Sequence, residues 1–235
     1  MLPVAILAGG LATRLGDLTA QRPKSLVDVA SKPFLAHQLE LLRRNGVQRV
    51  VLCVGHLGEM IRDRFGDGAD HGINLEYAFD GEVLLGTGGA LRRALPQLGP
   101  EFFVLYGDSY LPIDYAAVEQ SWRQSRRAGL MTVYRNEDAL EPSNVEFLDG
   151  KIVAYDKIDR RPSMRHIDYG LGILSGDVLS AHPADVKFDL AKVYQELIQQ
   201  RELAGMEVNQ RFYEIGSRQG IADLDQYLRS QPSSH

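Results

Sequence analysis

Two glycines followed by spaced cations, Gly9-Gly10, then Arg14, then Lys24 within Arg22-Pro23-Lys24, are the residues of this chain best suited to chemistry. Gly9 and Gly10 let the backbone approach a ligand closely, so that successive N–H groups can face phosphate oxygens. Arg14 adds a planar fork of donors and Lys24 a mobile point charge, with Thr13 between them in sequence. A Gly-Gly turn after a strand is by itself a common structural device. The trailing cations are what turn it toward phosphate handling. The spacing matches neither the Gly-x-x-x-x-Gly-Lys-Ser/Thr of a P-loop nor the Gly-x-Gly-x-x-Gly of a dinucleotide fold.

A second group, Gly107-Asp108, follows the apolar run Phe102 to Tyr106. A carboxylate at such a strand end serves either as a turn or capping residue or as an oxygen ligand for a hard divalent cation. Cys53 is the only cysteine and lies inside the apolar run Val50 to Val54, which excludes intrachain disulfides and thiolate clusters and marks it as a buried structural residue. His56, His71, His166 and His182 show no zinc-ligand spacing and are expected on the surface or in loops.

Composition limits the partners. A formal charge of -5, with 44% apolar and 24% charged residues, describes an ordinary globular chain with no electrostatic basis for bulk nucleic-acid binding. Met1 to Leu7 is too short for a signal-peptide core, and no run approaches the roughly 18 apolar residues of a membrane span. A cytoplasmic protein acting on a small ligand, without nucleic acid or membrane, is expected.

Alternating elements must position these groups. Pro3 to Ala8, Arg49 to Val54, Ile73 to Phe79 and Phe102 to Tyr106 read as strands, the first ending through Leu7 in the glycine pair. Phe34 to Asn45, Leu57 to Phe65, Gly88 to Leu95 (ended by Pro96) and Tyr115 to Arg127 read as helices. Leu130 to Tyr134 is a further strand, and Asn144 to Tyr155 a β-rich excursion turning at Asp149-Gly150. Gly170 to Leu174 resumes as a strand, Leu190 to Leu203 is a helix, Arg211 to Ile215 a closing strand, and Ile221 to Leu228 a last helix. The succession predicts one α/β domain over 1–235, a mostly parallel sheet flanked by helices, with ligands at the carboxyl ends of the strands.

Leu7 to Lys24 resembles the sugar-1-phosphate nucleotidyltransferases, whose pattern is Leu-Ala-Gly/Ala-Gly-x-Gly-Thr-Arg-Leu followed by Arg/Thr-Pro-Lys; Ala12 stands where glycine is usual. Lys32-Pro33-Phe34, Leu85-Gly86-Thr87-Gly88-Gly89-Ala90, Gly107-Asp108-Ser109 and Glu214-Ile215-Gly216-Ser217 extend the likeness over nearly the whole chain. The resemblance implies a Rossmann-like three-layer nucleotidyltransferase fold, with a nucleoside triphosphate and a sugar 1-phosphate as partners and Mg²⁺ as cofactor. It gives phosphate roles to Leu7, Gly9, Gly10, Thr13, Arg14 and Lys24, and brings Gly86, Thr87 and Gly88 to the nucleoside. Asp108 takes the metal. Glu214 stands where the family has an aspartate and becomes the second metal ligand, one methylene longer.

Asp156-Lys157 is similar to a Glu-Lys-Pro segment whose lysine meets the sugar phosphate, here followed by Ile158; a surface charge pair is the competing reading. Asp168-Tyr169-Gly170 corresponds to a segment beside the sugar, with Asp168 accepting from hydroxyls and Tyr169 as a wall. Arg14, Lys24, Asp108 and Lys157 form the implied catalytic set. Arg160 to His166 is the one locally basic stretch, either a lid or a solvated flap. The segments Val50 to Leu57, Phe65 to Gly68 and Leu85 to Ala90 are most similar to guanylyltransferases acting on a manno-heptose 1-phosphate, which favours GTP over CTP, UTP or dTTP. A noncatalytic nucleotide-sugar-binding protein is a further reading, and a glycosyltransferase would need an Asp-x-Asp that Asp108-Ser109-Tyr110 lacks.

Overall fold

The computed structural model describes residues 1–10, 16, 22–55 and 57–231. In chain order the strands and helices are β1 (Val4–Leu7), β2 (Asp28–Val29), β3 (Lys32–Pro33), α1 (Phe34–Arg44), β4 (Arg49–Val54), α2 (Gly58–Phe65), β5 (Asn74–Phe79), α3 (Gly86–Leu98), β6 (Glu101–Tyr106) and β7 (Ser109–Tyr110). They continue with α4 (Tyr115–Ser125), β8 (Gly129–Arg135), β9 (Val145–Leu148), β10 (Lys151–Tyr155), β11 (His166–Ser175), α5 (Gly176–Ser180), α6 (Leu190–Gln200), β12 (Leu203–Val208), β13 (Tyr213–Glu214) and α7 (Arg218–Ser230).

β1 lies between β4 and β6 and runs parallel to both, and β5 extends the parallel part beyond β4. β11 enters antiparallel beside β6, β8 pairs antiparallel with β11, and β12 adds a parallel strand to β8. The β9–β10 hairpin joins at His166, and its turn holds Asp149 and Gly150 at φ of 49 and 75, the left-handed values that a two-residue hairpin demands.

Side chains of successive strand residues go to opposite faces, which sorts the core into two layers. Val4, Ile6, Val50, Leu52 and Val54 meet Leu35, Leu39 and Leu42 of α1 and Ile61 of α2. Ala5, Val51 and Cys53 meet Leu91, Ala94 and Leu98 of α3, with Val193, Tyr194 and Leu197 of α6 on the same side. Each such aliphatic side chain removed from water contributes about 1.5–3 kcal/mol before entropy is set against it. The expected three-layer α/β architecture holds.

Three local expectations need correction, and one short helix, α5, adds to them. α3 continues to Leu98 with Pro96 inside it: Pro96 lies in the final turn, and Leu98, two residues beyond, is packed in the core. The helix from Leu190 stops at Gln200, where Arg201 turns left-handed, and Leu203–Val208 is a strand. α5 follows β11 directly. The strand near Arg211 shrinks to Tyr213–Glu214 and pairs with β7, outside the main sheet.

Candidate active site

The carboxyl ends of β1, β4, β5 and β6 open onto one crevice of about 520 Å³, lined among others by Gly9, Gly10, Lys24, Asp80, Thr87 and Asp108. A broader hollow of about 660 Å³ lies beside Met1 and α4. There Arg123 is already paired with Glu119, whereas Lys24 and Asp108 both line the crevice, which makes the crevice the candidate site.

Backbone contacts lock the strand ends together. Ala8 N–H donates to the Cys53 carbonyl at 2.9 Å, and Gly107 N–H to the Leu7 carbonyl at 3.1 Å. A side chain at Gly107 would put its Cβ 2.4 Å from the Leu7 oxygen, so only glycine lets β6 turn toward Asp108 this close to β1.

Lys24, on the single 3₁₀ turn Lys24–Leu26, donates through Nζ to Asp108 Oδ2 at 3.0 Å. Glu214 arrives from the other end of the chain because β13 pairs with β7, aligning Glu214 with Ser109, while Ile215 N–H donates to the Asp108 carbonyl at 3.0 Å. Gln38 of α1, almost fully buried, fixes the turn from beneath. Its amide donates to the Tyr106 carbonyl at 3.3 Å and the Ser109 carbonyl at 2.8 Å, on either side of Gly107-Asp108.

The Glu214 carboxylate accepts from Gly216 N–H and from the Ser217 hydroxyl at 3.0 Å. Burial raises its pKa above the usual glutamate range; those two donors oppose the rise, and the like charge of Asp108 adds to it. The Asp108 and Glu214 carboxylates offer oxygen ligands of the kind a hard divalent cation takes, with the Lys24 ammonium beside them. Among the described residues no cluster of three or more histidine, cysteine or acidic ligands exists.

Asp80 sits at the end of β5, buried in the crevice lining, with Leu85 N–H donating to its Oδ2 at 3.1 Å. Burial raises its pKa, opposed by the Leu85 amide and then by Arg93. Burial first, and Asp80 second, push the neighbouring Cys53 thiol up to about 12, so Cys53 is a protonated, inert part of the floor.

At the other side of Tyr106, Lys157 Nζ lies 5.1 Å from the Tyr106 ring centre and 5.9 Å from that of Tyr155. Asp168 accepts from both tyrosine hydroxyls, at 2.9 and 3.1 Å. The exposed loop carrying Arg160 and Arg161 follows, anchored by the buried Met164.

Leu7, Gly9, Gly10, Lys24, Gly86, Thr87 and Asp108 line the crevice. Thr13 and Arg14, with the rest of 11–15, lie outside the described residues, as does His56. Thr87 Oγ1 accepts from Leu190 N–H at 2.8 Å and so caps the start of α6. Two residues stand away from where the sequence put them. Gly88 is buried under Phe188 and donates to its carbonyl at 3.0 Å; a Cβ there would lie 2.3 Å from the Phe188 ring, so packing rather than a nucleoside explains the glycine. Tyr169 points to the opposite face from Asp168 and packs in the core against Phe212 and Tyr134, so it does not wall the crevice. Gly170 follows at φ 98, its N–H held by Asp168 Oδ1 at 3.0 Å.

The sequence model of the nucleotidyl transferase family matches residues 4–147, from β1 into β9 and through every strand that frames the crevice. The chain belongs to that family. Among relatives of this nucleotidyl transferase, the D-glycero-alpha-D-manno-heptose 1-phosphate guanylyltransferase of Campylobacter jejuni is 28% identical over 90% of this chain and 93% of its own length. The UTP–glucose-1-phosphate uridylyltransferase of Synechocystis is 28% identical over 79% of this chain, which spans only 52% of that protein. Among solved structures, HddC from Yersinia pseudotuberculosis, complexed with GMP-PN, superposes with a TM-score of 0.80 at 25% identity, covering 97% of this chain and 100% of that one.

Sequence reasoning passed over Asp80, Tyr106 and Lys187, all in the crevice lining of this nucleotidyl transferase. Asp80 carried a usable signal, since it ends an apolar strand at the same sheet edge as Gly9 and Asp108. Tyr106 reads only as the last residue of a strand, and Lys187 comes from a loop with no pattern. No helix among the described residues is long and apolar enough to cross a membrane.

Proposed function

We propose that this nucleotidyl transferase moves a nucleoside monophosphate from a nucleoside triphosphate, GTP before the others, to a sugar 1-phosphate, a manno-heptose 1-phosphate before the others. The observation that carries this is the pairing of Lys24 with Asp108 in a crevice whose lining also holds Asp80, with Glu214 brought beside Asp108. A phosphate oxygen of the sugar 1-phosphate attacks the α-phosphorus, the bond to the β-phosphate oxygen breaks, and pyrophosphate leaves. The attacking oxygen is already ionised near neutral pH, so no general base is required and catalysis rests on alignment and charge neutralisation.

Arg14 and the Gly9-Gly10 amides hold the triphosphate and the departing pyrophosphate. Lys24 turns from Asp108 to the transferring phosphoryl group, and Lys157 receives the sugar phosphate. Asp108 and Glu214 are the residues that would hold Mg²⁺, and their all-oxygen chemistry fits that ion. When bound, Mg²⁺ supplies Lewis-acid neutralisation of phosphate charge. Asp80 supports GTP, because a carboxylate offers two acceptors to the adjacent N1–H and N2–H donors of guanine.

The test is pyrophosphate release by folded protein with Mg²⁺, for GTP, CTP, UTP, ATP and dTTP against heptose, mannose, glucose and N-acetylated hexose 1-phosphates. GTP with a manno-configured sugar is expected to be fastest. Silence with every pair would refute the catalytic reading, and a faster pyrimidine triphosphate would move the base assignment.

A further inference from the structure

We infer that Asp168 is a positioning residue that holds Tyr106 and Tyr155 as a two-ring seat for the Lys157 ammonium, rather than an acceptor for a sugar hydroxyl. The carboxylate is already engaged by three donors: Tyr106 and Tyr155 hydroxyls on Oδ2, and Gly170 N–H on Oδ1 at 3.0 Å. The backbone beneath it is pinned as well, Asp168 N–H donating to Asn144 Oδ1 at 2.9 Å. The family resemblance places this aspartate beside the sugar ring, accepting from its hydroxyls. Here its acceptor positions are largely spent on the protein.

What those bonds accomplish is the placement of two rings. Lys157 Nζ lies near the faces of both and 3.5 Å from the hydroxyl of Tyr106, a residue of the crevice lining, so the aromatic pair and the Asp168 charge behind it hold the ammonium beside that residue. The Tyr155 ring is braced in turn edge-on by Tyr194, 5.9 Å away. Both hydroxyls are held far above the usual phenol range by burial first and the Asp168 charge second, so they remain donors at any working pH. Burial raises Asp168 itself, and the charge of Lys157 is the largest influence opposing that rise.

The inference rests on the reading of Lys157 as the sugar-phosphate cation, and two measurements separate the two. The first is a double-mutant cycle on the KM for D-glycero-α-D-manno-heptose 1-phosphate at saturating GTP. Lys157→Ala is expected to raise KM about 30-fold and Asp168→Asn about 10-fold, with the double variant no worse than Lys157→Ala, because one residue acts through the other. Multiplication of the two effects, or a wild-type KM in Asp168→Asn, would overturn the seat. An unchanged KM in Lys157→Ala instead defeats the reading of Lys157.

The second measurement needs no turnover: acetylation of each lysine by acetic anhydride, read by peptide mass spectrometry on the intact folded protein. Asp168→Asn loosens the two rings that hold the Lys157 side chain, so Lys157 is expected to meet the reagent more freely and react about 5-fold faster while other lysines keep their rates. Tyr155→Phe, which keeps the ring and drops one donor, is expected to shift Lys157 in the same direction and serves if Asp168→Asn fails to fold. Unchanged Lys157 reactivity in a folded variant overturns the inference whatever the kinetics give.

Discussion

Lys24 and Asp108, 84 residues apart in sequence, form a 3.0 Å ion pair at the mouth of the crevice. The cation read as a phosphate ligand and the acid read as a metal ligand thus pair with each other in the free protein, and on those two readings an arriving metal–triphosphate complex would exchange that contact for two new ones. Lys24→Met is expected to separate the effects. Nucleotide-free Mn²⁺ affinity, followed by electron paramagnetic resonance, should rise about 3-fold to 10-fold, in line with ~1 kcal/mol for a partly exposed pair. Turnover should fall at least about 100-fold with the fold intact. Unaltered Mn²⁺ affinity together with near-normal turnover would remove both roles.

Glu214 sets a pH dependence. A protonated carboxyl cannot ligate, and its pKa in the folded chain is raised, chiefly by burial. Loss of Mg²⁺ affinity on acidification should therefore begin at higher pH than an ordinary glutamate would allow, and Glu214→Gln should flatten the profile while weakening Mg²⁺ throughout. The sign for stability follows from the same shift. The folded state binds this proton more tightly than the unfolded chain, so the favourable contribution is complete below the unfolded pKa and fades as pH rises through the folded one. Metal-free melting scans across mildly acidic pH would detect it, and a midpoint insensitive to Glu214→Gln would reject it.

Asp80 is expected to read the base. Asp80→Asn replaces one acceptor by a donor, and should cost GTP about 10-fold to 100-fold in kcat/KM, the range of one two-point base contact. The sugar 1-phosphate KM should stay constant, which competition assays with mixed triphosphates would show. Equal losses for all five triphosphates would mean that Asp80 supports the crevice wall instead.

Gly88 should prove structural. A methyl group would meet the Phe188 ring, and Gly88→Ala is expected to lower stability by about 1–3 kcal/mol in urea unfolding. Phe188→Leu in the same chain should recover most of the loss. A Gly88→Ala protein that is fully stable yet defective in GTP binding would restore the nucleoside role.

The legible part of this molecule is the part encoded locally. Val4 to Leu7, Arg49 to Val54 and Phe102 to Tyr106 carry apolar residues toward both faces, as strands covered on both sides must, and their abrupt glycine endings point to the ligand edge. Asp168 and Tyr169 show where local reading stops. Neighbours in a strand face opposite ways, so assigning both to one sugar ring conflicted with strand geometry, and the core took the larger, more apolar side chain. β12 was hidden for another reason: Leu203 to Val208 lacks β-branched residues except at its end, and Gly205 is needed because Phe147 and Ile152 leave no room for a Cβ. Its strand state is dictated by β8, a partner far away in sequence. Asp80 and Lys187 share a crevice only through tertiary folding, which no spacing rule expresses.

The pairing of β13 with β7 has a bearing on biogenesis. Because the carboxylate beside Asp108 comes from residue 214, a chain still emerging from the ribosome can build β1, β4, β5 and β6 and shape most of the crevice while the second acid is not yet made. On the reading of Asp108 and Glu214 as the metal ligands, metal competence would be acquired only once residue 214 has emerged, after the strands that shape most of the crevice.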